Sequence, residues 1–225
     1  MTELQTLIFD WDGTLANSVE KIVLSMQRAA DDVGLDPLSA QAVREIIGLG
    51  LPEAIAVLYP NVEDRQLAER LGTAYGQHYL TLEEVPSPLF DGVRDALDIF
   101  RDAGFRLAVA TGKKRRGLAR VLEKHGLSGF FDATRCADET ASKPNPLMLA
   151  QILYQLDTPA ERAIMLGDSV FDLQMAHNAG VRPVAVSYGA MTREQLLACE
   201  PEHCLDTFSD FHHWVMREQT QGVGV

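Results

Sequence analysis

The feature that most constrains this chain is an apolar run that stops abruptly on a pair of carboxylates. Leu7, Ile8 and Phe9 are followed at once by Asp10, Trp11, Asp12, Gly13 and Thr14. A short apolar stretch broken by turn-forming residues reads as a buried strand, here residues 4–10. Residues 105–110, 163–166 and 183–187 repeat the pattern. Helical patterns over 93–103, 118–125 and 147–156 fall between these runs. Strands alternating with helices predict right-handed βαβ units, and hence an α/β fold with a parallel sheet between two helical layers.

Residues 17–85 break the alternation. They hold no strand-like run, but show helical patterns over 19–33, 40–47 and 67–82. Pro86, Ser87 and Pro88 end the stretch, because proline restrains the backbone and stops a helix. The expected organisation is a core of residues 1–16 and 86–225, with a helical cap of residues 17–85 inserted after the first strand.

Composition narrows the partners. A hydrophobic fraction of 46% in 225 residues is enough for a proper core. Twenty Lys and Arg against 32 Asp and Glu, a formal net charge of -12, argue against nucleic acid or an anionic membrane as a partner. A small molecule fits better. Cys136, Cys199 and Cys204 show no CxxC spacing, so neither a disulfide framework nor a zinc site is expected, and a cytoplasmic location fits. The first apolar run is too short for a signal peptide or a membrane span. The glycine-containing tail at 222–225 reads as a frayed end.

Chemistry in an open parallel sheet belongs at the carboxyl ends of the strands. Those ends carry Asp10 and Asp12, then Thr111 and Gly112, then Asp168 with Asp172 one helical turn on, while Lys143 lies in a loop before Pro144. Two carboxylates two residues apart at a strand end conflict unless a cation resolves their repulsion. Magnesium, which takes about six oxygen ligands, suits carboxylates of Asp10 and Asp168. An aspartate held by metal and by Lys143 is negative but weakly basic, a nucleophile for phosphorus. Asp12 is left to protonate a leaving alkoxide and then to deprotonate the attacking water. Thr111 and the amides near Gly112 and Gly13 are placed to hold phosphate oxygens.

Three further features have both a functional and a plain reading. The basic run at 113–116 opposes a helix macrodipole if it starts a helix, so Lys113 with its neighbours could draw a phosphate dianion into an acidic protein, or could simply be solvated. Gly48, Leu49 and Gly50 could close over the site or make an ordinary turn between helices. Arg44 could meet a substrate carboxylate or face water. His78, His203, His212 and His213 show no metal-ligand spacing, and Phe211 with Trp214 reads as packing of a C-terminal helix.

Four short motifs also resemble, in order, those of the haloacid dehalogenase superfamily: DWDGTL from Asp10, ATG from Ala110, SKP from Ser142 and GDSVFD from Gly167. The resemblance runs over essentially the whole chain and is strongest to the phosphoglycolate phosphatase branch. It implies a three-layer, Rossmann-like core with an inserted helical cap. The implied activity is magnesium-dependent hydrolysis of a small phosphate monoester through a phosphoaspartate, with phosphoglycolate as the first substrate to consider. By the same resemblance Asp10 is nucleophile and metal ligand, and Asp12 is acid/base and a ligand through its backbone carbonyl. Asp168 is the third protein ligand, with Asp172 behind it. Thr111 binds phosphate, and Lys143 stabilises the nucleophile and the transferring group.

Asn17 departs from the branch, which usually has an acidic residue there, and this leaves the substrate open. The dehalogenases lack the second aspartate, so Asp12 argues against that chemistry. Phosphonate hydrolysis needs a cap lysine, and the cap's single lysine, Lys21, lies just past the first motif. A sugar phosphomutase shares the core and differs in how its cap excludes water. A signalling receiver module also uses a phosphoaspartate, but phosphorylates the end of its third strand and has no large helical insertion. A monomer or homodimer is expected.

Overall fold

The computed structural model describes residues 3–222, so the tail beyond Gly222 lies outside the described residues. In chain order β1 (Thr6–Phe9) leads into four helices, α1 (Val19–Asp32), α2 (Ala40–Arg44), α3 (Leu51–Leu58) and α4 (Arg65–Leu82). The chain continues through α5 (Val93–Asp102), β2 (Arg106–Thr111), α6 (Arg115–Lys124), β3 (Ala133–Cys136), α7 (Leu147–Leu156) and β4 (Ala163–Gly167). It closes with α8 (Val170–Ala179), β5 (Arg182–Val186), α9 (Arg193–Leu197), β6 (His203–Leu205) and α10 (Phe208–Gly222).

Six strands form one parallel sheet in the order β3-β2-β1-β4-β5-β6. The four expected runs are β1, β2, β4 and β5. Strands β3 and β6 are additional and lie at the two edges, where a strand is covered less completely and carries polar residues such as Thr134, Arg135 and His203.

Side chains alternate across the sheet. Leu7 and Phe9 face an apolar layer with Leu97, Phe100 and Phe211, whereas Ile8 faces Met148, Ile152 and Met165. Helices α5, α6 and α10 therefore cover one face, and α7 and α8 the other. Thr6, the polar member of β1, is buried, and its hydroxyl is paired 2.8 Å from that of Thr158.

Helices α1–α4 surround an apolar centre of their own, built on Val23, Met26, Ile46, Ile55 and Leu71. In α1 the buried residues Val19, Ile22, Val23, Met26, Ala29 and Ala30 make a stripe at helical spacing. The two connections to the sheet run side by side: Asn17 N–H donates to Pro88 O at 2.8 Å and Phe90 N–H to Leu15 O at 3.0 Å, with Ala16 bridging Leu89. Glu83 anchors the exit, accepting from Ser87 N–H at 3.0 Å and Oγ at 2.9 Å and from Lys21 at 3.1 Å. Burial alone would raise its pKa, but these bonds outweigh burial and hold the carboxyl below its ordinary value.

Two boundaries differ from expectation. Helix α6 starts at Arg115 and not at residue 118, and α2 ends at Arg44 because the chain turns through Gly48, at φ 109°. No described helix is long and apolar enough to cross a membrane.

Phe100 is fully buried between Phe105, Phe211 and His212. Phe100→Ala is expected to destabilise the protein by about 3–5 kcal/mol, read from urea unfolding, through lost burial and the cavity left behind. Tyr154→Ala, at a residue 90% exposed, is expected to change stability by less than about 0.5 kcal/mol. Equal effects would contradict the assignment of the core.

Candidate active site

The chain leaves β1 for β2 and β3 on one side and returns to β4 on the other, so the crevice at the switch point opens beyond the carboxyl end of β1. Phe9 is in register with Leu166, which brings Asp10 and Asp168 out of the sheet as neighbours. Asp10, Asp168 and Asp172 are all buried and offer oxygens within 4.8 Å of one another; among the described residues this is the one such group.

Lys143 enters from the loop between β3 and α7. It is 1% exposed, with Nζ 2.8 Å from Asp10 Oδ1 and 2.7 Å from Asp172 Oδ1. Both contacts are ion pairs between buried groups. Burial on its own would lower the pKa of Lys143, but the two carboxylates outweigh it and keep the ammonium charged.

One ammonium cannot neutralise three carboxylates. Burial pushes Asp10 up to about 7, with Lys143 pulling the other way and Asp172 adding to the rise. Asp168 is also raised, by burial first and then by Asp10 and Asp172.

The chain holds Asp168 in place from several sides. Thr14 Oγ1 donates to its Oδ1 at 2.8 Å and Ala190 N–H to its Oδ2 at 2.7 Å. Two glycines clear its space: a Cβ at Gly13 would stand 2.1 Å from Asp168 Oδ2, and one at Gly189 2.2 Å from the same atom. Asp172 is the third residue of α8 and forms a capping box with Ser169, whose Oγ donates to Asp172 Oδ2 at 2.6 Å. Both oxygens of Asp172 are thus engaged, one by Ser169 and one by Lys143. A cluster of hard oxygen donors, short of positive charge and cleared by glycines, fits a cation of the magnesium class.

Asp12 lies outside that carboxylate group. Its Oδ1 accepts from Ser18 Oγ at 2.6 Å and stands 2.9 Å from Lys113 Nζ. Lys113 Nζ also donates to Tyr79 Oη of α4 at 3.0 Å. Burial would lower the pKa of Lys113, but Asp12 and then Tyr79 and Tyr75 raise it. Thr111 is fully buried at the end of β2, and its Oγ1 accepts from Lys113 N–H at 3.2 Å.

One expectation needs correction, and two open readings resolve. The Gly13 amide is not open to a phosphate, since it donates to Ala16 O at 2.9 Å within the turn. Arg115 turns from the site to Glu139, at 2.5 Å, and to Thr134, so it does not act with Lys113. Arg44 pairs with exposed Glu20.

The loop at Gly48 to Gly50 rests on the core. Gly50 N–H donates to Ser142 Oγ at 2.8 Å, and a Cβ at Gly112 would stand 2.4 Å from Leu49 O. A cavity of about 300 Å³ lies under this contact, with Asp10, Asp12, Thr111, Gly112 and Lys113 among its lining.

Thr14, Ser18 and Tyr79 were not foreseen as parts of the site. Thr14 and Ser18 are near the first motif, and their hydroxyls were available for its carboxylates. Tyr79 carries no local signal, because its partner Lys113 is 34 residues further along the chain.

The chain matches the family model described as haloacid dehalogenase-like hydrolase over residues 7–186. It is 36% identical over 211 residues to the probable phosphatase IndB of Dickeya dadantii, covering 91% of this chain and 90% of that protein. It is 30% identical over 217 residues to the phosphoglycolate phosphatase of Colwellia psychrerythraea, covering 93% and 96%. A crystal structure of a predicted phosphoglycolate phosphatase from Haemophilus somnus superposes with a TM-score of 0.82 at 26% identity, over 94% of this chain and 97% of that one. With the sheet order, the carboxylates and these matches in agreement, the chain belongs to the haloacid dehalogenase-like hydrolases.

Proposed function

We propose that this chain is a magnesium-dependent phosphomonoester hydrolase that forms a phosphoaspartate on Asp10 and acts on a small phosphorylated metabolite. The observation that carries the reading is Asp10, buried at the strand end, held by Lys143 and lining a cavity together with Asp12 and Thr111. Relatives named as phosphatases support it, and one of them makes phosphoglycolate the first ester to test. Free thiols and an acidic composition suit a small partner in a reducing compartment.

Asp10 and Asp168, with the backbone carbonyl of Asp12, would hold the metal. Bound there, magnesium supplies positive charge to the carboxylates and to the phosphate oxygens. Asp10 attacks the phosphorus in line, and the bond from phosphorus to the ester oxygen breaks while Asp12 gives that oxygen its proton. Asp12, now a carboxylate, takes a proton from water as that water attacks the acyl phosphate. The bond between phosphorus and Asp10 breaks and the aspartate is restored. Ser18 and Lys113 orient Asp12 for both steps, and Thr111, with the amide of Gly112, faces the phosphate oxygens. Lys143 keeps Asp10 anionic enough to attack, and its raised pKa keeps it from acting as a base.

Asp10→Asn is expected to abolish phosphate release from every ester. Asp12→Asn is expected to slow it by about 10²–10⁴-fold, more for alkyl esters than for p-nitrophenyl phosphate, whose leaving group needs no proton. Steady-state assays measure both, and an Asp10 variant with full activity would refute the assignment.

A second expectation concerns pH. Asp10, raised to about 7, and Asp168, also raised, favour the metal-free fold most when protonated. Their contribution is fully present below the ordinary carboxylate pKa and is lost as pH rises through the folded values. Magnesium should therefore raise Tm more at about pH 8 than at about pH 5, measured by calorimetry as the difference between magnesium and EDTA samples. Equal shifts at both pH values would contradict this.

A further inference from the structure

The cavity above Asp10 has two unlike walls. Its cap wall is apolar, with Met26 from α1, Ile46 from the turn after α2, Leu51 from α3, and Tyr75 and Tyr79 from α4. Tyr75 and Tyr79 are stacked, with ring centroids 6.0 Å apart and planes at 27°. The cap's cations lie elsewhere: Lys21 on Glu83, Arg44 on Glu20 and Arg65 on Glu69, with Arg28 and Arg70 exposed and outside the lining. The acid the cap does bring to the lining is Glu83, whose low pKa keeps it anionic.

A carboxylate pressed against Met26, Ile46 and Leu51 would lose water and meet no cation of the cap, and the ammonium that reaches this wall, Lys113 on Tyr79, is already engaged by Asp12 at 2.9 Å. Small ligands that lose polar partners on binding lose affinity, whereas an apolar body gains from burial there. The opposite wall carries Lys113, Lys114, Arg116 and Arg120, all from the segment after β2. They suit the phosphate end in a chain of net charge -12.

We propose that the leaving group this chain accepts is an uncharged, largely apolar alcohol of about ring size, seated against Met26, Ile46, Leu51 and the Tyr75–Tyr79 pair. The inference rests on the phosphatase reading and narrows it: the glycolate moiety, small and anionic, matches neither the volume nor the charge of the cap wall.

The test compares kcat/KM for benzyl phosphate and phosphoglycolate with magnesium, two esters of similarly basic alcohols, with p-nitrophenyl phosphate as a check on turnover. Benzyl phosphate is expected to be favoured by at least about tenfold. Leu51→Lys, which puts a cation on the cap wall at a partly exposed helix start, is expected to lower that ratio by about tenfold. Because the ratio is taken within one preparation, a loss of folded protein does not mimic the effect. Preference for phosphoglycolate in the unaltered chain, or a ratio indifferent to Leu51→Lys, overturns the inference alone. No turnover of any of the three esters overturns the phosphatase reading and this inference with it.

Discussion

The arrangement of the site depends on one buried ammonium between two buried carboxylates. Lys143 touches Asp10 and Asp172 at side-chain exposures of 2% or less for all three. Breaking such a group by removing one partner costs far more than the pair contributes, because a charge is left without water or counter-ion. The parts that carry the three residues must therefore stay in register: the end of β1 for Asp10, the first turn of α8 for Asp172, and the loop before α7 for Lys143. The same charges set the chemistry. Lys143 compensates part of the carboxylate charge, and the remainder, shared with Asp168, makes a divalent cation fit.

Much of this was legible in the chain. Central strands buried on both faces read as continuous apolar runs, and the polar residue that ends each run could be read as a site residue because parallel strands present their carboxyl ends together. Edge strands are different. His203, Cys204 and Leu205, like Ala133 to Cys136, pair on one side or lie near an edge, so their sequences need not be apolar and gave no signal. Asp172 could have been placed by local rules alone, since Ser169 three residues before it makes a capping box.

Other features depend on which groups meet in space. Gly13 looked like a phosphate-binding amide, yet its N–H closes the turn and its missing Cβ makes room for Asp168. Arg115 belonged by spacing to a basic run, but α6 turns it towards Glu139. Tyr79 meets Lys113 and, through it, Asp12, although nothing in its neighbourhood marks it. Contacts between α1–α4 and the strand ends were the hardest to read, because no periodicity links the two.

The central claim is that Asp10 itself receives the phosphoryl group. The most direct measurement is acid quenching of the Asp12→Asn variant in its first turnover with magnesium and a phosphate ester, followed by peptide mapping by mass spectrometry. The expected result is a phosphoryl group on Asp10 in the tryptic peptide that ends at Lys21. A phosphoryl group on another residue, or an unmodified Asp10 in every quenched sample while phosphate is released at an undiminished rate, would contradict it.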